Sequence, residues 1–105
     1  MLDWQLPWHP NRDDAQSDHL TRELRSEVGP GHVLFGIDAR AIAYRQDRDD
    51  VLFELLDGSG RVAVVHLTFA QHPESDPVWP QTQIFADWPV FVRERMATDA
   101  ADWTA

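Results

Sequence analysis

Cysteine and lysine are both missing from this 105-residue chain, and each absence removes a class of chemistry. Without cysteine there is no thiolate nucleophile, no cysteine-ligated zinc and no disulfide, the last of which fits a reducing compartment. Without lysine there is neither the phosphate contact of a P-loop nor a Schiff base. Long apolar runs are lacking too. The first ten residues hold Asp3, two Trp and two Pro but no basic segment, so the expectation is a cytoplasmic chain with no signal peptide and no membrane span. Positive charge is scarce: nine Arg face 18 Asp and Glu, the formal charge is −9, and no third of the chain is basic. Nucleic-acid affinity comes mostly from neutralising phosphates, so a nucleic-acid partner is not expected. An acidic field instead favours solubility and encounter with basic partners.

What is present suffices for one core, and residues 1–105 read as a single domain. Residues 1–13 mix Trp4, Leu6 and Trp8 with Pro7, Pro10 and Asn11 without helical or strand period, which reads as an irregular arm. Two Trp in so short an arm carry too much apolar area to stay in water, so it packs on the domain or on another chain. From about Ser17, Leu20, Leu24 and Val28 recur at helical spacing, and Gly29-Pro30 closes a helix whose narrow stripe suits the surface of a sheet. Ala39 to Arg45 and Val51 to Leu56 read as strands joined by a charged turn. Asp57-Gly58-Ser59-Gly60 then turns the chain into a Val-rich strand from Arg61. Thr82 to Phe85 fits a short fourth strand. Asp87 is placed to cap a helix with Pro89 in its first turn and Trp88, Phe91, Val92 and Met96 on one face. Residues from Thr98 onward are expected to fray. The resulting class is α+β: a two-layer domain of N-terminal helix, three- or four-stranded antiparallel meander and C-terminal helix.

Pairing Leu56 with Arg61 puts Val51, Phe53, Leu55, Val62, Val64, His66 and Thr68 on one sheet face. Leu52, Glu54, Leu56, Ala63, Val65, Leu67 and Phe69 then share the other. Both faces are mostly apolar. One helix cannot cover both, so the arm, the second helix or another subunit must shelter the remaining face.

The segments Gly31-His32-Val33-Leu34-Phe35-Gly36, Asp49-Asp50-Val51-Leu52-Phe53-Glu54-Leu55, Val64-Val65-His66-Leu67-Thr68-Phe69 and Trp79-Pro80-Gln81-Thr82 resemble a small uncharacterised bacterial family. The resemblance runs from about residue 20 to residue 99 and departs at Val33 and Phe69, where the family carries Pro and Trp. It implies no established activity, so no residue role comes with it.

His66 has the chemistry for an acid, a base or a ligand, with Glu54 or Thr68 as helper. The competing reading is a half-buried structural histidine hydrogen-bonded to backbone or carboxylate. Glu54 interrupts an apolar face and reads either as a catalytic acid or as the partner of Arg61 or Arg40. Ser59 lacks a nucleophile elbow. Five scattered His carry no zinc spacing, and Asp47, Asp49 and Asp50 lack the Gly and Glu of a calcium loop, so no metal and no cofactor is expected. That turn reads as a solvated connection. Trp79, Trp4 and Trp8 form the surface to probe for binding, since aromatic residues concentrate at hot spots and in ligand grooves. Two functions follow: a non-catalytic domain acting on a protein partner or a second copy of itself, or a small-molecule binder or enzyme centred on His66.

Overall fold

The computed structural model describes residues 4–104; residues 1–3 of the expected arm and residue 105 of the expected tail lie outside them. The chain is α+β. Five strands form an antiparallel sheet in sequence order, β1 (Trp8–Pro10), β2 (Ala39–Arg45), β3 (Asp50–Leu55), β4 (Val62–His66) and β5 (Thr82–Phe85). Helix α1 (Asp14–Glu27) joins β1 to β2. After β5 comes one helical rod made of α2 (Trp88–Phe91), a π-helical stretch Val92–Met96 and α3 (Ala97–Thr104).

The strand beyond the expected three or four is β1, inside the segment read as an irregular arm. Its proline lies at the end of a three-residue edge strand, where a missing N–H does little harm, so the composition hid it. Asp13 caps α1 by accepting the Gln16 N–H at 2.8 Å, which starts the helix three residues before Ser17. Asp87 caps α2 through Val90 N–H at 3.0 Å with Pro89 in the first turn, as its sequence predicts. The tail expected to fray is helical through Thr104.

The β3–β4 register differs by one residue from the one predicted. Leu55 N–H donates to Arg61 O at 3.1 Å, so five residues, Leu56–Gly60, make the turn where the sequence reading counted four. Asp57 accepts from the Ser59 N–H and hydroxyl, and Gly58 and Gly60 take φ of 81° and 77°, a conformation that favours glycine. A slip of one residue reverses every side chain of β4 relative to β3. Val51, Phe53 and Leu55 therefore share their face with Ala63, Val65 and Leu67, under Leu20 and Leu24 of α1. Leu52 shares the other with Val62, Val64 and His66.

That second face is sheltered within the chain. Trp8, Phe91 and Met96 bury Leu52, Val62, Val64 and Phe85, and Trp4 packs edge-on against Trp88 at 5.2 Å. Arm and helical rod together do what one helix could not, and the two helical layers lie on opposite faces of the sheet. No helix among the described residues is long and apolar enough to cross a membrane.

Candidate functional site

A bulge in β2 determines what stands at one end of this second face. Ala41 opposes Phe53, whereas Ala43 opposes Leu52, so Ile42 is an extra residue between them. Ala39 and Ala41 therefore face α1, and Ala43 and Arg45 face the other way. Without the bulge, two-residue alternation would point Arg45 toward α1. With it, Arg45, Asp50 and His66 stand side by side on β2, β3 and β4, Asp50 directly opposite His66 in the register.

The helical rod supplies the facing side chains. Arg95, within the π-helical stretch, and Asp99, one turn later, reach down to that row. Arg95 donates from Nη2 to Asp50 at 2.7 Å and from Nε to Asp99 at 2.8 Å. The same Asp99 oxygen accepts the Trp8 indole N–H at 2.8 Å and lies 3.3 Å from Arg45 Nη1. Arg45 grips Asp47 with two further bonds of 2.9 Å, and this guanidinium holds the Asp47 carboxyl below the usual carboxylate range. Asp50 closes the row on His66, Oδ1 to Nδ1 at 2.7 Å. Charges thus alternate along Asp47, Arg45, Asp99, Arg95 and Asp50, and the row ends on the His66 imidazole. Arg45, Asp50 and Asp99 are buried, which this degree of mutual pairing makes tolerable.

The row floors an open cleft of about 950 Å³. The Pro-rich segment carrying Pro77, Val78 and Trp79 forms another of its walls. His32 ties this wall down: Nδ1 accepts the Leu34 N–H at 3.0 Å and Nε2 donates to Pro80 O at 2.9 Å, so both ring nitrogens are used. A Cβ on Gly31, whose φ is 94°, would stand 3.2 Å from Pro77, so the two loops touch where only glycine fits easily. On the far side of β4, Glu27 accepts from Thr68 N–H, Thr68 hydroxyl and Phe69 N–H at 2.8 to 2.9 Å, and Glu23 accepts Gln71 N–H at 3.1 Å. These two buried carboxylates fix a stretch in which Phe69 and Gln71 have φ of 57° and 65°. Burial, and then the contact with Glu23, raise the Glu27 carboxyl above its ordinary value.

Of the residues singled out in the sequence, the structure brings His66 and Trp79 to the cleft and leaves the others elsewhere. His66 is half exposed, with Nδ1 committed to Asp50 and Nε2 without a partner among the described residues. Trp79 is 38% exposed on the wall. Thr68 does not share the His66 face; it is held by Glu27. Glu54 is exposed four residues along β3 from Asp50, roughly 13 Å away at strand rise. The ion pairs expected for it do not form: Arg40 binds Asp14 at 2.8 Å and Arg61 binds Asp57 at 3.0 Å. Trp8 is 1% exposed, inside the core, and Trp4 lies against Trp88. The Asp47–Asp50 turn is more than a solvated connection, since Asp50 is buried in the network. No group of three or more metal-ligating side chains converges among the described residues.

Arg45, Arg95 and Asp99 escaped sequence reasoning, which reaches Asp50 only as part of the Asp-rich turn. The available signal was the Arg95/Asp99 pair at i, i+4 beside the apolar stripe of the last helix, a spacing that also suits an ordinary surface pair.

Chemically, the site is an imidazole backed by a carboxylate, its second nitrogen free to accept a hydrogen bond or a proton. Fold and cleft define an α+β domain with a polar site between sheet and C-terminal helix. Comparison with protein-family models, curated proteins and solved structures yields no match.

Proposed function

We propose that the chain binds a small polar molecule in this cleft, with His66 as its central contact. One observation carries the reading: the imidazole is pinned through Nδ1 to Asp50, Asp50 is pinned by Arg95, and Nε2 is left without a partner among the described residues on the floor of a cleft of about 950 Å³. Orienting a histidine through one nitrogen fixes its tautomer and presents the other as an acceptor. The same arrangement lets His66 take a proton from a bound hydroxyl or water, so a hydrolytic or proton-transfer activity lies within its reach. Such work suits the cytoplasm, in keeping with the absence of cysteine.

The test is an NMR fragment screen on the full chain, reading the His66 imidazole and Trp79 indole resonances. Fragments should move both in wild type and lose their effect in His66→Ala. A screen in which hits leave these two residues untouched would refute the reading.

A second reading, a protein partner or a second copy of the chain, is supported by Val33, Val78 and Trp79, which stand exposed together on the rim. It predicts concentration-dependent sedimentation, or capture of a partner that is lost in Trp79→Ala.

A further inference from the structure

The cleft is an electrically balanced place on a strongly acidic molecule. Arg45, Arg48 and Arg95 line it with Asp50, Asp99 and Asp102, while the chain as a whole carries −9. An incoming anion finds Arg45 and Arg95 already held by carboxylates at 2.7 to 3.3 Å, and an incoming cation finds Asp50 and Asp99 held by the same guanidiniums. At these four groups either must break existing charge-assisted bonds to be received, and the two lining ions outside these pairs, Arg48 and Asp102, offset each other's charge. A neutral ligand need not.

The hydrogen-bonding capacity left over is mixed. Acceptors are His66 Nε2 and the exposed Asp102 carboxylate. Donors are Arg48, which pairs with no carboxylate among the described residues, and Arg95, whose Nη1 has only Gln83 Oε1 at 3.5 Å. The group that both gives and accepts from a single atom is the hydroxyl, and neighbouring hydroxyls on a ring can use alternating donors and acceptors in one line. Pro77, Val78 and Trp79 line the same cleft, an apolar wall suited to the flat face of a ring whose edges are polar.

We infer that the ligand of this cleft is a neutral, hydroxyl-rich ring, either a free sugar or the ribose of a nucleoside, with a hydroxyl donating to His66 Nε2 and the ring face on Trp79. The inference rests on the cleft being a small-molecule site and specifies its chemistry.

The experiment is a two-dimensional NMR titration of the full chain with methyl glucopyranoside, methyl mannopyranoside, adenosine and uridine, alongside acetate, phosphate and methylammonium. At least one neutral hydroxylated probe should give saturable shifts of His66 and Trp79 in the millimolar range. Those shifts should change little between low and high salt, since screening acts on charge attraction. Loss of the acceptor in His66→Phe should weaken binding about tenfold, the size of one hydrogen bond. Trp79→Ala should weaken it as well, and spectral dispersion of each variant checks its fold. Response to the glycosides alone identifies a sugar site; response to the nucleosides alone, with adenosine and uridine alike, identifies ribose. If the charged probes bind the cleft with steep salt dependence and the neutral ones do not, the ligand class is wrong while the cleft remains a binding site. If neither these probes nor the fragment screen moves His66 and Trp79, both readings fall.

Discussion

Asp99 joins the arm, the helical rod and β2 at a single oxygen, and its removal has a calculable effect. Asp99→Ala takes the acceptor from the Trp8 indole N–H, which is 2.8 Å away on a side chain 1% exposed. A buried donor left unsatisfied costs about 1–3 kcal/mol. The charge part is smaller than for a fully buried pair, because Arg95 keeps Asp50 and Arg45 keeps both bonds to Asp47. Arg95, whose side chain is partly exposed, can turn toward water, which reduces it further, to about 1 kcal/mol. The expected total is about 3 kcal/mol. Asp99→Asn retains an oxygen for the indole while losing the charge, and should cost about 1 to 1.5 kcal/mol on the same reasoning. Urea unfolding followed by far-UV circular dichroism measures both, and at a slope of about 2 kcal/mol per M the alanine variant should lower the midpoint by roughly 1.5 M. A cost under about 0.5 kcal/mol for alanine, typical of an ordinary surface position, would show that the network does not hold arm to helix. Equal costs for the two variants would show that charge, and not the indole bond, dominates.

Three further outcomes follow from single residues. The Glu27 carboxyl is raised in the folded chain by burial and by Glu23, so the folded state binds its proton more tightly than the unfolded state does. Its stabilising contribution is therefore complete below the ordinary value of 4.5 and declines as pH rises through the folded value. Glu27→Gln should flatten that decline in a pH series of urea midpoints, and an unchanged slope would contradict the assignment. Asp57, hydrogen-bonded by Ser59 and Arg61, should titrate at about 2 in a carbon-detected NMR series, and a midpoint near 3.8 would mean that the turn hydrogen bonds are absent in solution. Gly58→Ala meets no atom within 4 Å, so its effect isolates the cost of a φ of 81°. A loss of about 1–2 kcal/mol in thermal melts is expected, and a gain would refute that backbone conformation.

The local signals were legible wherever a side chain speaks to its own neighbours. Asp87 and Pro89 mark the start of the last helix, Leu20 and Leu24 its counterpart on the sheet, and Thr82–Phe85 the edge strand, because caps, periodicity and turns act within a few residues. The β3–β4 register was not legible, since Asp57-Gly58-Ser59-Gly60 suits turns of four or five residues and only the Asp57–Ser59 contacts decide between them. His66 and Trp79 stood out by residue type. Arg45, Asp50, Arg95 and Asp99 did not, because their meeting depends on the bulge at Ile42, the register and the docking of a helix on a face reached from 45 residues away in the chain.

Ile42 makes β2 a joint between two otherwise separate regions. Upstream of it Ala39 and Ala41 pack under α1, and downstream Ala43 joins the second core and Arg45 the floor of the cleft. Shortening the chain by that one residue should turn Ala43 and Arg45 toward α1 and take Arg45 from Asp99, with Ala39 and Ala41 keeping their face. A length change of a single amino acid, three positions from Arg45, thus bears on the polar floor and on the second core together, because one bulge orients both Ala43 and Arg45.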